Sequence, residues 1–362
     1  MGVYIPTIIL VPMIGTQLSI ILFSFLVVLI SSISLLFVIR VSTIKKILNF
    51  FIVLTILFSI TFFMNPPTFG EIAENAFDKT NVIYETETPY SYIFVDQNGK
   101  NTYLKGKITG STWSLKIDDK HFTKTHFDYP LVAISMNENT ENILILGLAG
   151  GTTSNSFTYA YPDVQVDGVE IDSTVIDIGK KYFNINKENL NPIVSDGRLY
   201  VKTTEKEYDI IFIDVYRDVY IPFHMVTIEF FKEIKDILKD DGVLCVNVVN
   251  YNQKTVDTIF NTVSKVFSSL YKLEPTYSGN YFLYGTNQKT DLNGIKKSIL
   301  AARDNIPFSD EISINEKIEL KLVFTDVYDK LEEYKKSDDL IYFTDDKVPL
   351  EYIVGMDVFP FN

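Results

Sequence analysis

Residues 143–151 read ILILGLAGG, residues 165–172 read QVDGVEID, residues 195–198 read SDGR, and residues 208–214 read YDIIFID. The two runs that end in Glu170 and Asp214 are nearly continuous in apolar residues. That is how a strand buried on both faces of a parallel sheet reads. The acids therefore belong at the carboxyl ends of strands, the edge of an open α/β sheet where ligands bind. Between the first strand and the next helix stand Gly147, Gly150 and Gly151, which let a ligand approach the backbone closely.

Outward from this stretch, strands alternate with helical patterns. Helices are expected near Thr152 to Ala160, Ser173 to Phe183, Thr227 to Leu238 and Lys254 to Leu270, with further strands at GVLCVNVV and YFLYGT. Such alternation predicts an α/β fold, a Rossmann-like parallel sheet with helices on both faces. Before it, residues 81–117 alternate in short bursts around Asn98-Gly99, the signal of a small antiparallel hairpin module. The expected organisation is a membrane segment over 1–69, a β-hairpin module over 80–137, a nucleoside-binding α/β domain over 138–290 and an extension over 291–362. In that extension GIKKSILAARDN reads as an amphipathic helix and KLEEYKKSDD as a solvated helix face.

Charge is distributed unevenly. Residues 1–70 contain no acidic residue and only Arg40, Lys45 and Lys46 as basic ones, in a chain with a net charge of −13. Gln17 to Ile39 and Ile47 to Met64 carry no charge at all. At about 1.5 Å per residue each reaches or approaches the roughly 30 Å of a hydrocarbon core. Two transmembrane helices are expected, with Val3 to Ile14 a third candidate that two prolines weaken. The location implied is the cell membrane, multi-pass, with lipid contacted through the N-terminal helices. The loop bearing Arg40, Lys45 and Lys46 would favour the cytoplasmic side, which leaves the sidedness of the acidic body open. An excess of acid over base argues against a nucleic-acid partner. The three histidines and the single Cys245 suggest neither a metal nor a disulfide.

The three acids carry the chemistry. Glu170, about 20 residues beyond the glycines, stands where a carboxylate can accept ribose hydroxyls. Asp196 with Gly197 falls on the same edge, and Asp214 ends the strand beside the glycines. Each also has an ordinary reading: a solvated strand end for Glu170, an Asp-Gly turn for Asp196, a cap for Asp214.

The order GLAGG, EID, SDGR, YDIIFID and then HMVTIEFFKEIKDILKDDGVLCVNV resembles the spermidine synthase group of polyamine aminopropyltransferases, particularly its membrane-fused members. ETETPYSYIFV, IDDKHFTKTHFDYPL and the late TDDKVPLEY extend the likeness over most of the chain. The resemblance implies a methyltransferase-type fold that binds decarboxylated S-adenosylmethionine and passes its aminopropyl group to a small-molecule amine such as putrescine. Gly147, Gly150, Gly151, Glu170, Asp196 and Gly197 would hold the nucleoside. Asp214 would be the first acid of the family's catalytic pair. Counting onward, the second acid falls on Arg217, and Asp218 is the next carboxylate. Other positions also depart: Gly150 replaces an acid of the glycine loop, and Ser91, Trp113, Phe122 and Thr123 replace polar residues of the family pattern. Two alternatives follow from these changes. One is methyl transfer from S-adenosylmethionine, and the other a non-catalytic domain that senses nucleosides or polyamines. A homo-oligomer is left open.

Overall fold

The computed structural model describes residues 81–106, 111–137, 139–216, 221–250, 253–288, 291–336 and 341–347, with scattered helical positions between 22 and 52. The expected spans at Gln17 to Ile39 and Ile47 to Met64 lie mostly outside the described residues, and Arg217 and Asp218 lie outside them entirely. Among the described residues no helix is long and apolar enough to cross a membrane. The chain divides into two compact units, Met1–Phe94 and Val95–Asn362.

In the first unit, β1 (Val82–Glu87) alternates between exposed and half-buried positions. The boundary falls within β2 (Tyr92–Asn98), which turns through Gly99 and Lys100 into β3 (Asn101–Gly106). In the second unit β3 pairs antiparallel with β4 (Thr112–Ile117). A 3₁₀ segment, His126–Met136, leads into the main sheet.

That sheet contains β5 (Asn142–Leu146), β6 (Gln165–Glu170), β7 (Leu190–Val194), β8 (Tyr208–Ile213), β9 (Leu238–Val249), β10 (Ser269–Leu273), β11 (Asn280–Thr286) and β12 (Glu332–Glu333). Their order across the sheet is β12-β10-β11-β9-β8-β5-β6-β7. The five strands β7, β6, β5, β8 and β9 run parallel, and β11 and β10 complete the sheet antiparallel. This is the Rossmann-like, methyltransferase-type arrangement. Its order reverses between β5 and β8, so the crevice at their carboxyl ends is the switch point.

The apolar runs are explained by two cores. Ile143 and Ile145 of β5 and Ile210 and Phe212 of β8 face one core. Leu144, Leu146, Ile211 and Ile213 face the other. Over the first lie α1 (Thr152–Ala160), α2 (Ser173–Tyr182), α6 (Leu292–Asp304) and α7 (Ile314–Lys330). Over the second lie α3 (Gly197–Thr203), α4 (Ile228–Asp236) and α5 (Gln253–Val263). α6 and α7 place Ile295, Leu320 and Phe324 in the same core as β5, so the extension completes one face of the sheet.

The structure corrects some local expectations. The helix expected over Lys254 to Leu270 stops at Val263, and Ser269–Leu273 form β10. Five consecutive pairs with β11, from Ser269↔Thr286 to Leu273↔Phe282, outweigh a helical pattern there. The stretch expected as a solvated helix face instead contains β12, because α7 ends at Lys330 and Glu332 and Glu333 pair with Lys272 and Tyr271. β7 carries no clear strand signal, since Pro192 interrupts it. It tolerates the proline as the edge strand, where one face of the ladder needs no donor.

Candidate functional site

The crevice begins with the turn out of β5. Gly147 has φ 90°, and its amide and that of Leu148 both donate to the Val169 carbonyl at 3.0 Å. A Cβ on Gly147 would lie 2.2 Å from the Asp214 carbonyl oxygen, so the turn touches the end of β8 only because it carries no side chain. Ala149 also has positive φ, at 48°, and Gly151, at 87°, is the N-cap of α1. The loop is braced from outside the sheet. The Gly150 amide donates to Ser114 Oγ at 2.8 Å, and Thr152 Oγ1 exchanges hydrogen bonds with the Leu115 backbone at 2.8 and 3.0 Å.

Glu170 ends β6 and turns its carboxylate onto this loop. Oε2 accepts from the Ala149 amide at 3.0 Å and Oε1 from the Asp172 amide at 3.2 Å. Burial pushes its carboxyl above the usual carboxylate range, and the two amides partly offset that. A carboxylate offers roughly four lone-pair directions, so each oxygen retains capacity for a hydroxyl.

Asp196 is the N-cap of α3, with its side chain accepting from the Leu199 amide at 2.9 Å. Where the sequence suggested an ordinary Asp-Gly turn, the Asp196 side chain instead caps a helix. Its other oxygen, Oδ2, faces His224 Nε2 across 3.8 Å. The Ser195 amide donates to the Glu170 carbonyl at 3.0 Å, which places the ends of β6 and β7 side by side.

Asp214 follows β8 directly, its amide bonded to the Leu146 carbonyl at 2.9 Å. Its carboxyl is pushed up to about 6, because burial penalises the anion more than one hydrogen bond favours it. That bond comes from Asn247 Nδ2 to Asp214 Oδ1, at 2.7 Å. Asn247 lies in β9, buried among Cys245, Val246 and Val248, and its Oδ1 is buried without a partner. Sequence reasoning missed this residue. The available signal was a lone amide inside the apolar run GVLCVNVV, a polar group whose burial calls for a partner. Tyr216 fixes the exit from β8, accepting from the Val249 amide at 2.8 Å and donating to the Asn247 carbonyl at 3.1 Å.

The glycines, Glu170, Asp196, Gly197 and Asp214 thus meet on one sheet edge, and Asp218 lies outside the described residues. Phe122 is buried in the core, and Thr123 donates through its amide and hydroxyl to the buried Asp128 at 2.8 and 3.1 Å. Both positions serve packing. Among the described residues no cluster of His, Cys, Asp and Glu could hold a metal ion.

The profile of the spermine/spermidine synthase domain matches residues 126–297, which span the sheet from the 3₁₀ segment to α6. A probable polyamine aminopropyl transferase of Bifidobacterium longum is 31% identical over 197 residues, which are 54% of this chain and 44% of that protein. The polyamine aminopropyltransferase of Vibrio vulnificus is 30% identical over 212 residues, 56% of this chain and 71% of the relative. That of Sulfurisphaera tokodaii is 30% identical over 61% of this chain and 76% of its own. Among solved structures, a probable spermidine synthase from Corynebacterium glutamicum superposes with a TM-score of 0.54 at 16% identity, covering 75% of this chain and 98% of that one. Spermidine synthase from Thermotoga maritima gives 0.52 at 21% identity, covering 67% and 88%. These two likenesses concern the fold. The relatives that are 30% identical over more than two thirds of their own length show that the chain belongs to the spermine/spermidine synthase family of aminopropyltransferases.

Proposed function

We propose that this chain transfers an aminopropyl group from decarboxylated S-adenosylmethionine to a small amine. The observation that carries the reading is Asp214: a half-buried carboxyl raised to about 6, fixed by Asn247, against the glycine turn at the switch point. In the reaction the amine nitrogen forms a bond to the aminopropyl carbon attached to the sulfonium. The carbon–sulfur bond breaks, and its electron pair returns to sulfur to leave methylthioadenosine. A protonated amine has no lone pair to attack with, so the site must hold the cation and take its proton. Asp214 suits both tasks once ionised, and a carboxyl near 6 accepts a proton more readily than an ordinary aspartate.

Glu170, with lone pairs left over, is assigned to the ribose, and Asp196 with Gly197 to the adenine. Gly147, Gly150 and Gly151 form the wall that the nucleoside approaches. Asp218 is assigned as the second acid in place of Arg217. Methyl transfer is kept as the second reading because of one feature. At Gly150 the loop offers no carboxylate, and that amide is already bonded to Ser114. Purified protein supplied with decarboxylated S-adenosylmethionine and a panel of di- and polyamines is expected to release methylthioadenosine. No release with any amine would overturn the proposal, and tighter calorimetric binding of the carboxylated nucleoside would favour methyl transfer.

We also propose that the N-terminal segment anchors the enzyme in the cell membrane. Phe23, Leu26, Val27 and Ile30 are helical, exposed and spaced along one helix face, which suits a lipid-facing stripe. The full chain is expected to stay with membranes through a carbonate wash. Release into the supernatant would refute the anchor.

A further inference from the structure

We propose that the C-terminal segment Ile341–Lys347 is a clasp that sets the nucleoside side of the crevice, acting through Arg198. The inference rests on the assignment of Asp196 and Gly197 to the nucleoside. Arg198 follows them at the start of α3 and is only 8% exposed. Its guanidinium uses all five of its N–H donors. Nε and Nη2 bond to Glu233 Oε2 and Oε1, each at 2.7 Å, while Nη1 and Nη2 bond to Asp345 Oδ1 and Oδ2, each at 2.8 Å. The fifth donor, on Nη1, goes to the His224 carbonyl at 3.0 Å.

One side chain thus ties α3, the 3₁₀ turn Phe223–Met225, α4 and the clasp together. His224 is also the residue whose ring faces Asp196 across 3.8 Å. Both walls around Asp196, the helix it caps and the turn opposite, are held by the same guanidinium. The helix and the turn also approach closely, since a Cβ on Gly197 would stand 3.0 Å from Met225 Cε.

The clasp is seated independently of this charge. Phe343 is fully buried, its amide donates to Thr262 Oγ1 at 3.0 Å, and its carbonyl accepts from the Ile228 amide at 2.9 Å. Asn261 Nδ2 holds the Ile341 carbonyl at 3.1 Å. The segment therefore has its anchor in Phe343, and Asp345 does something further. It accepts from Thr227 Oγ1, the cap of α4, at 2.7 Å, and its amide donates to Glu229 Oε2 at 2.9 Å. Held in this way, Asp345 presents both oxygens to Arg198 in the bidentate geometry that fixes a guanidinium in one orientation. Asp345 is a positioning residue for the nucleoside.

The test is Asp345→Asn in the full chain, which keeps the shape and removes the charge. Methylthioadenosine is expected to bind about tenfold more weakly by calorimetry, with the KM for the nucleoside raised and kcat within about twofold of wild type. Hydrogen exchange is expected to quicken in Gly197–Thr203 and Phe223–Met225 while the amides of β5 keep their protection. Lys347→Ala, in the same turn but not bonded to Arg198, is expected to leave both readouts unchanged. Unaltered affinity and exchange in a folded Asp345→Asn protein would overturn the clasp, as would a fall in kcat with KM unmoved. If the wild-type protein binds no adenosyl nucleoside, the proposed function fails, and the exchange comparison still decides whether Asp345 holds α3.

Discussion

Asp214→Asn is expected to lower methylthioadenosine release by roughly 10²–10⁴-fold, the range over which a positioned general base acts. The same variant is expected to be more stable than wild type near neutral pH. Burial lifts the carboxyl from 3.8 to about 6, so the native state binds this proton more tightly than the unfolded chain does. The sign follows directly. The group's contribution to stability is fully present below the unfolded value of about 4 and is lost as pH rises through about 6. Two units correspond to roughly 3 kcal/mol, an upper figure that an isosteric amide recovers in part. Thermal unfolding and single-turnover assays across pH 5 to 8 measure both effects. A loss of activity accompanied by a lower melting temperature at neutral pH would show that Asp214 acts through folding rather than chemistry.

The pH profile carries a second check on the same group. Since the anion is the active form, kcat/KM is expected to climb through an acid limb near 6 in wild type. The Asn247 hydrogen bond favours the anion, so Asn247→Ala is expected to move that limb to higher pH. A limb that stays in place would assign it to some other group.

Gly147→Ala is expected to cost roughly 3–5 kcal/mol, from a clash and a left-handed backbone together. The added methyl would sit 2.2 Å from the Asp214 carbonyl oxygen and 2.8 Å from its carbonyl carbon, and φ at this residue is 90°. Neither contact is with a side chain that could swing away. Since a domain of this kind is stable by only about 5–15 kcal/mol, the variant should lose much of its margin. Whatever folds should be inactive, because the methyl displaces the strand end that carries Asp214. Gly279 has nothing within 4 Å of a built Cβ, so Gly279→Ala is the matched control, expected within about 0.5 kcal/mol of wild type. Equal denaturation midpoints for the two variants would contradict the close approach.

Much of this was legible in the chain because parallel strands buried on both faces leave an unmistakable pattern. ILIL and YDIIFI could be read as strands, and their carboxyl ends placed the glycines, Glu170 and Asp214 on one edge. Helices with clear boundary residues read well too. α1 spans Thr152–Ala160 as expected, entered through Gly151, and α2 begins at Ser173, where Asp172 accepts from the Thr174 amide at 2.9 Å. The less legible elements were those whose stability comes from a partner. β10 exists because β11 lies beside it, β12 because β10 does, and β7 because an edge position tolerates Pro192.

Sequence by itself determined the sheet edge, the order of the acids along it and the family. Those features depend on local periodicity and on residues a few positions apart. Tertiary structure decided what each acid experiences. Only packing could show that Asp214 accepts from the buried Asn247, that Glu170 turns back onto the Ala149 amide, and that Arg198 reaches 147 positions along the chain to Asp345. Burial and charge pairing depend on groups brought together from distant parts of the chain, and no spacing in the sequence records their distances.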